Sequence, residues 1–252
     1  MANERPLVLV DLDDTLFQTA RKMPPGGARH PASYDVAGEV SGYQSPVQQA
    51  LLNWLLGSAD VVPVTARSAE AFGRVKLAFD GGAICAHGGL ILDAEGQVDA
   101  QWHAVMGEVL GPFHERLPAL CETALGLADE LGVSLRGWVV EEADQRHYVV
   151  VKHNDGQDHD LLRVLNALET RGLLAGMHSH RNGNNLALLP AGLSKRQAVR
   201  HYLERDRRER GERPVLGFGD SITDLGFMNL CDFWATPASS QLAALVQEHA
   251  DA

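Results

Sequence analysis

Leu7-Val8-Leu9-Val10 runs directly into Asp11-Leu12-Asp13-Asp14. An apolar run of this length without polar alternation predicts a strand covered on both faces. Strands of that kind belong to parallel sheets flanked by helices. The chain that follows repeats the theme. Ser45-Pro46 predicts a helix over residues 46–56, with Ser45 as N-cap, Pro46 at the first position and Gly57 as the stop. Residues 61–65 are expected as a second strand, 69–79 as a second helix, and 83–86 as a third strand ended by Gly88-Gly89. Such alternation specifies an α/β fold with a parallel sheet and covering helices. Residues 18–45, rich in Pro, Gly, Ala and polar side chains, are expected to form a long, partly irregular excursion.

Beyond residue 88 the pattern changes. Residues 90–93 and 97–100 predict a hairpin, and 103–131 a helical stretch broken near Gly111-Pro112 and Pro118. Strands are expected over 134–141 and 146–153, a helix over 160–170, and strands over 173–179 and 185–189. This is the pattern of an α+β module with an antiparallel sheet. After Pro190 the first pattern returns. Ser194 caps a helix to about residue 206, 214–217 is a strand, 224–229 is helical, 233–235 is a short strand, and the C-terminus is helical. The expected domains are therefore a core over 1–87 and 190–252, and an inserted α+β domain over 88–189.

The net charge of −11 over 252 residues opposes binding to polyanions, so no nucleic-acid partner is expected. A small anionic substrate remains compatible with it, because one metal ion reverses the local field. Cys85, Cys121 and Cys231 form no C-x-x-C pair, which gives neither a zinc motif nor a disulfide framework. No apolar run approaches a membrane span, and the first apolar run is too short for a signal peptide. A cytoplasmic protein with reduced thiols and no membrane partner is the expectation. Arg205 to Arg213 alternates Arg with Glu and Asp, as a solvated helix end does.

The chemistry concentrates at strand ends. Asp11 and Asp13 lie two apart, just past the C-terminal end of a buried strand, where open α/β sheets place ligands. Carboxylates this close repel, and a cation resolves the repulsion. Gly217-Phe218-Gly219-Asp220-Ser221-Ile222-Thr223-Asp224 ends another strand, with Asp220 and Asp224 one helical turn apart. Hard carboxylate oxygens in this number suit magnesium.

Four motifs in this order resemble those of the haloacid-dehalogenase-like hydrolases, most of which are phosphatases. Asp11-Leu12-Asp13-Asp14-Thr15 is similar to the first motif, which implies Asp11 as nucleophile and Asp13 as acid/base. Val64-Thr65-Ala66-Arg67 resembles the second, which implies phosphate binding by Thr65 and Ala66. Lys195 in Gly192-Leu193-Ser194-Lys195-Arg196 resembles the third, a lysine that steadies phosphate and nucleophile. Gly219 to Asp224 resembles the fourth, which implies Asp220 and Asp224 as metal ligands beside Asp11 and Asp13. The insertion between the second and third motifs is similar to the family's type-2 (C2B-like) caps, as in sucrose-phosphate and mannosyl-3-phosphoglycerate phosphatases. Ala66, Thr223 and His87 stand where many relatives carry Gly, Asn and Asn. None of these changes removes a reacting group.

The resemblance implies a three-layer, Rossmann-like core with an inserted α+β cap domain. It implies a magnesium-dependent phosphomonoesterase acting through a phospho-aspartate on a small phosphorylated metabolite such as a sugar phosphate. Phosphoryl transfer, as in phosphomutases, and non-catalytic phosphate binding are the alternatives. In the insertion, His178 to Asn185 is the polar candidate for substrate contact, with Arg181 and Asn184 foremost. A solvated hairpin turn accounts for the same residues.

Overall fold

The computed structural model describes residues 5–250. β1 (Leu7–Val10) is buried at every residue on both faces, as its unbroken apolar run predicts. A hairpin follows, β2 (His30–Tyr34) and β3 (Val40–Gln44). α1 (Pro46–Ser58) starts at a capping box: Gln48 N–H donates to Ser45 Oγ at 3.2 Å, and Ser45 N–H to Gln48 Oε1 at 2.9 Å. β4 (Asp60–Pro63), the short α2 (Ala69–Gly73), β5 (Ala83–Cys85) and β6 (Leu90–Leu92) complete the first segment. α3 (Ala100–Leu110) and α4 (Arg116–Glu130) follow, separated by a 3-10 turn at Gly111–Phe113. Pro118 lies in the first turn of α4, where no intrahelical N–H is lost.

The chain continues through β7 (Leu135–Glu142), β8 (Gln145–His153), α5 (Asp158–Thr170), β9 (Met177–Asn182) and β10 (Asn185–Pro190). It ends with α6 (Lys195–Arg210), β11 (Val215–Phe218), α7 (Leu225–Met228), β12 (Phe233–Ala235) and α8 (Gln241–Ala250). No helix among the described residues is long and apolar enough to cross a membrane.

Two compact units result. One runs to Trp102 and resumes at Ser194; the other is His103–Leu193. The first is built on a parallel sheet in the order β12-β11-β1-β4, with Val8 opposite Leu216 on one side and Val61 on the other. On one face Val8, Val10 and Val61 pack with Leu52 and Leu55 of α1. The second unit is an antiparallel sheet in the order β7-β8-β10-β9. Val149, Val151, Leu186 and Leu188 of that sheet share a core with α4 and α5.

Several expectations shift. The excursion over 18–45 contains the β2–β3 hairpin rather than irregular chain. Its partners are remote: Tyr34 N–H donates to Arg74 O, Lys76 N–H to Ala32 O, and Gln18 and Tyr43 exchange backbone bonds. Those bonds to residues 74–76 also stop α2 at Gly73, short of the expected 79. β5 pairs antiparallel with β6, and an Ile84–Val64 bridge just past β4 joins it to the parallel sheet. β9 starts at Met177 rather than 173, after turns at Gly172 and Gly176 with φ of +68° and +70°.

The insertion expected over 88–189 is displaced to 103–193. Residues 88–102 stay with the first unit because β6 pairs with β5, Trp102 Nε1 donates to Gly88 O at 2.9 Å, and Asp99 pairs with Arg205 of α6.

At the strand-start end of the parallel sheet, Arg213 donates to both Asp206 oxygens (2.9 and 2.6 Å), to Asp60 and to Arg5 O. Its side chain is almost wholly buried. Removing one partner of a buried pair leaves the other charge uncompensated. Arg213→Met is therefore expected to cost about 3–5 kcal/mol in urea unfolding. The double variant with Asp206→Leu should recover much of that loss.

In the second unit His147 is wholly buried, and neither ring nitrogen has a well-formed hydrogen bond among the described residues. Burial lowers its pKa to about 4, against an opposing pull from the Glu142 backbone. The folded value lies below the unfolded one, so the associated stability is complete above about pH 6.5 and is lost as pH falls towards 4. Replacement by Leu should flatten this acid limb, worth up to about 3 kcal/mol, in unfolding curves recorded between pH 7 and 4.

Candidate active site

All of the site's acids leave the C-terminal edge of the parallel sheet. Asp11 follows β1 directly, and its N–H donates to Phe218 O at 2.8 Å. Leu12 and Leu16 are fully buried and hold the next loop down. The chain turns back at once: Asp14 takes a left-handed φ of +64°, its N–H donates to Phe17 O, and Asp13 bridges Phe17. A buried Leu12 between them sends Asp11 and Asp13 out of the same strand end.

β4 ends nearby. Val64 N–H donates to Val10 O, and Thr65, almost completely buried, is fixed by its N–H to Ile84 O at 2.8 Å. Thr65 Oγ1 accepts the N–H of Arg67 at 3.1 Å. Ala66 is not among the residues with positive φ, so alanine sits there without strain.

α6 brings the cation. Ser194 caps the helix, Lys195 is its first residue, and its ammonium lies between two carboxylates. Lys195 Nζ donates to Asp11 Oδ1 at 2.6 Å and to Asp224 Oδ1 at 2.7 Å. Lys195 is 9% exposed, Asp11 6% and Asp224 1%. Gly88, with φ of +97°, lies against the helix start; a Cβ there would clash with Ser194 O and stand 2.9 Å from Lys195 N. Gly219 serves Asp224 in the same way, since its Cβ would fall 2.5 Å from that of Asp224. Asp224 Oδ2 also accepts from Ser221 N–H at 3.1 Å and Ser221 Oγ–H at 2.6 Å.

Asp11, Asp220 and Asp224 each offer a carboxylate oxygen within 4.8 Å of the others. Three carboxylates face one ammonium. Burial pushes the Asp11 carboxyl well above its usual range, with Asp224 and Asp220 adding to the rise and Lys195 opposing it. Burial, with Asp224 and Asp14, raises Asp220 to about 7. Burial acts in the same direction on Asp224, but Lys195 and Ser221 outweigh it and keep Asp224 below the ordinary value. Lys195 is held above the ordinary lysine value by the two carboxylates despite its burial. A hard divalent cation fits this all-oxygen donor set and its surplus of negative charge.

Asp13 has a separate partner. Arg67 grips both of its oxygens, Nε to Oδ2 at 2.7 Å and Nη2 to Oδ1 at 2.8 Å. The sequence pattern gives Arg67 no task, and Gly88 only that of a strand stop. No local pattern marks either role, because their partners lie 54 or more residues away.

The candidates of the inserted unit lie on its β9–β10 hairpin. Arg181 is exposed, opposite Leu186. Asn184 is engaged within that unit: its amide donates to His153 O at 2.7 Å and accepts His153 N–H at 2.8 Å.

No protein-family model and no curated protein matches the sequence. Solved structures do. A trehalose-6-phosphate phosphatase related protein superposes with a TM-score of 0.51 at 20% identity, over 91% of this chain and 85% of the other. The sucrose-phosphatase of Synechocystis sp. PCC6803, in complex with sucrose and phosphate, gives 0.54 at 16% identity, over 98% of each chain. The C-terminal domain of the C. albicans trehalose-6-phosphate phosphatase gives 0.53 at 14%, over 90% of this chain and 73% of the other. The fold shared with these structures is an α/β Rossmann-like core with an inserted α+β unit.

Gly219→Ala is expected to destabilise the protein by about 1–3 kcal/mol, because its methyl has no room beside Asp224. Gly226→Ala is the control. Its methyl would meet Arg196 Cβ at an ordinary 3.7 Å. Urea midpoints should separate the two variants.

Proposed function

We propose that this chain is a magnesium-dependent phosphomonoesterase that works through a phospho-aspartate on Asp11. The observation that carries the reading is the buried Lys195 ammonium shared by Asp11 and Asp224, with Asp220 alongside. It combines a carboxylate nucleophile, a cation to steady it and a metal-type donor set at one sheet edge. The fold neighbours' names, phosphatases of trehalose 6-phosphate and sucrose phosphate, favour a sugar phosphate as the substrate class.

In the first half-reaction an Asp11 oxygen attacks phosphorus in line. The bond from phosphorus to the leaving oxygen breaks, and Asp13 supplies the proton that oxygen needs. In the second half, water attacks the same phosphorus, Asp13 takes its proton, and the bond to Asp11 breaks to release inorganic phosphate. Lys195 and Thr65 hold phosphoryl oxygens. Each such donor contributes about 3 kcal/mol to the transition state. Asp11, Asp220, Asp224 and the Asp13 carbonyl would hold magnesium, whose charge when bound offsets repulsion between carboxylate and phosphate.

A panel of phosphorylated sugars and glycerates, assayed for phosphate release with magnesium, tests the reading. Asp11→Asn is expected to lose roughly 10³-fold or more of the best rate while keeping its fold. EDTA should abolish release, and added magnesium should restore it. A rate for Asp11→Asn near wild type would remove Asp11 as nucleophile. A requirement for a sugar bisphosphate, without net phosphate release, would turn the reading towards phosphoryl transfer.

A further inference from the structure

The Asp13 carboxylate does not stand free at the strand end. Arg67 forks onto both of its oxygens, at 2.7 and 2.8 Å. The guanidinium is itself seated: its carbon lies 5.1 Å from the centroid of the Phe17 ring. Its backbone is pinned from both sides, N–H to Thr65 Oγ1 at 3.1 Å and C=O from Ala86 N–H at 2.6 Å. The Phe17 ring is fully buried and rests on Gly42 of β3, where a Cβ would fall 2.8 Å from a ring carbon and clash with Ser33 Oγ. Hairpin, ring, guanidinium and carboxylate therefore form one continuous stack, although its members come from three separate stretches of chain.

We propose that Arg67, seated on Phe17 and the Gly42 position, is the positioning residue that aims the Asp13 carboxyl at the leaving oxygen; this rests on the phosphatase reading above. Protonated Asp13 needs only one oxygen for the transfer. The guanidinium keeps hold of the other, so the O–H is presented in a fixed direction. As the P–O bond breaks, its electron pair stays on the leaving oxygen and takes that proton, while Asp11 gains the bond to phosphorus. A carboxyl that swings on its own side chain would spend little time in line, and small misplacements cost rates of the order of 10²-fold. Arg suits this role better than Lys because its planar fork fixes an orientation as well as a charge.

The test is the dependence on leaving group. An alkyl phosphate needs the proton; 2,4-dinitrophenyl phosphate, whose leaving group is a stable anion, does not. With magnesium present, Arg67→Ala is expected to lower kcat/KM about 10²-fold on the alkyl ester and less than about 10-fold on the dinitrophenyl ester. Arg67→Lys, which keeps the charge and carries the test if the alanine variant does not fold, should show the same bias to a smaller degree. Gly42→Ala, remote from substrate, should show it too. Circular dichroism and melting points confirm that the compared variants are folded. Equal losses on both esters would overturn the proposal, since that pattern belongs to phosphate binding or general damage. Unchanged rates would overturn it as well. A wild-type protein that releases phosphate from neither ester would overturn the phosphatase reading itself, and this inference with it.

Discussion

The site is organised around one buried ammonium. Lys195 bonds Asp11 from the first strand and Asp224 from the far end of the chain, and each member of this trio is less than a tenth exposed. Charges so placed are stable only as a set. The set exists because two strand ends and one helix start meet, and close backbone approach permits the meeting. Gly88 admits the start of α6, and Gly219 admits the Asp224 side chain. With Asp220 alongside, one positive charge still leaves an excess of carboxylate. That imbalance is the physical argument for a cation at this edge.

Asp11 and Asp13 are two residues apart and have opposite surroundings. Asp11 is buried beside an ammonium, whereas the Asp13 side chain is 43% exposed and held by a guanidinium. Environments that differ this much let two identical side chains take different tasks. The difference originates in Leu12 and Phe17. Their burial folds the loop back so that Asp11 stays over the sheet while Asp13 turns towards Arg67.

Local signals placed the elements they govern. The unbroken apolar run located β1 to the residue, and Ser45 located the start of α1 through a cap that the structure contains. Asp11, Lys195, Asp220 and Asp224 each stand at a strand end or helix start, and the structure brings their charged groups together as the order of the motifs leads one to expect. What escaped depended on distant partners. Residues 30–34 and 40–44 carry Pro, Gly and polar side chains, and they become strands through each other, Gln18 and the segment 74–76. The boundary near 88 misled because a hairpin signal cannot say which unit it belongs to; pairing of β6 with β5 decides that. The Arg67 fork joins positions 54 residues apart and has no periodicity to announce it.

The central position of β1 has a consequence for how the chain reaches this state. Leu7 pairs with Asp60 on one side and with Val215 on the other. The second partner lies beyond the whole inserted unit, and the Arg213 network that closes the same end of the sheet is equally late in the chain. During synthesis the continuous 103–193 segment therefore has all of its own partners before β1 has both of its neighbours. Contacts of such long sequence separation form slowly. β1 is thus made well before its second neighbour and is among the last of the described strands to be fully covered, its Leu-Val-Leu-Val edge open to non-native pairing until β11 arrives.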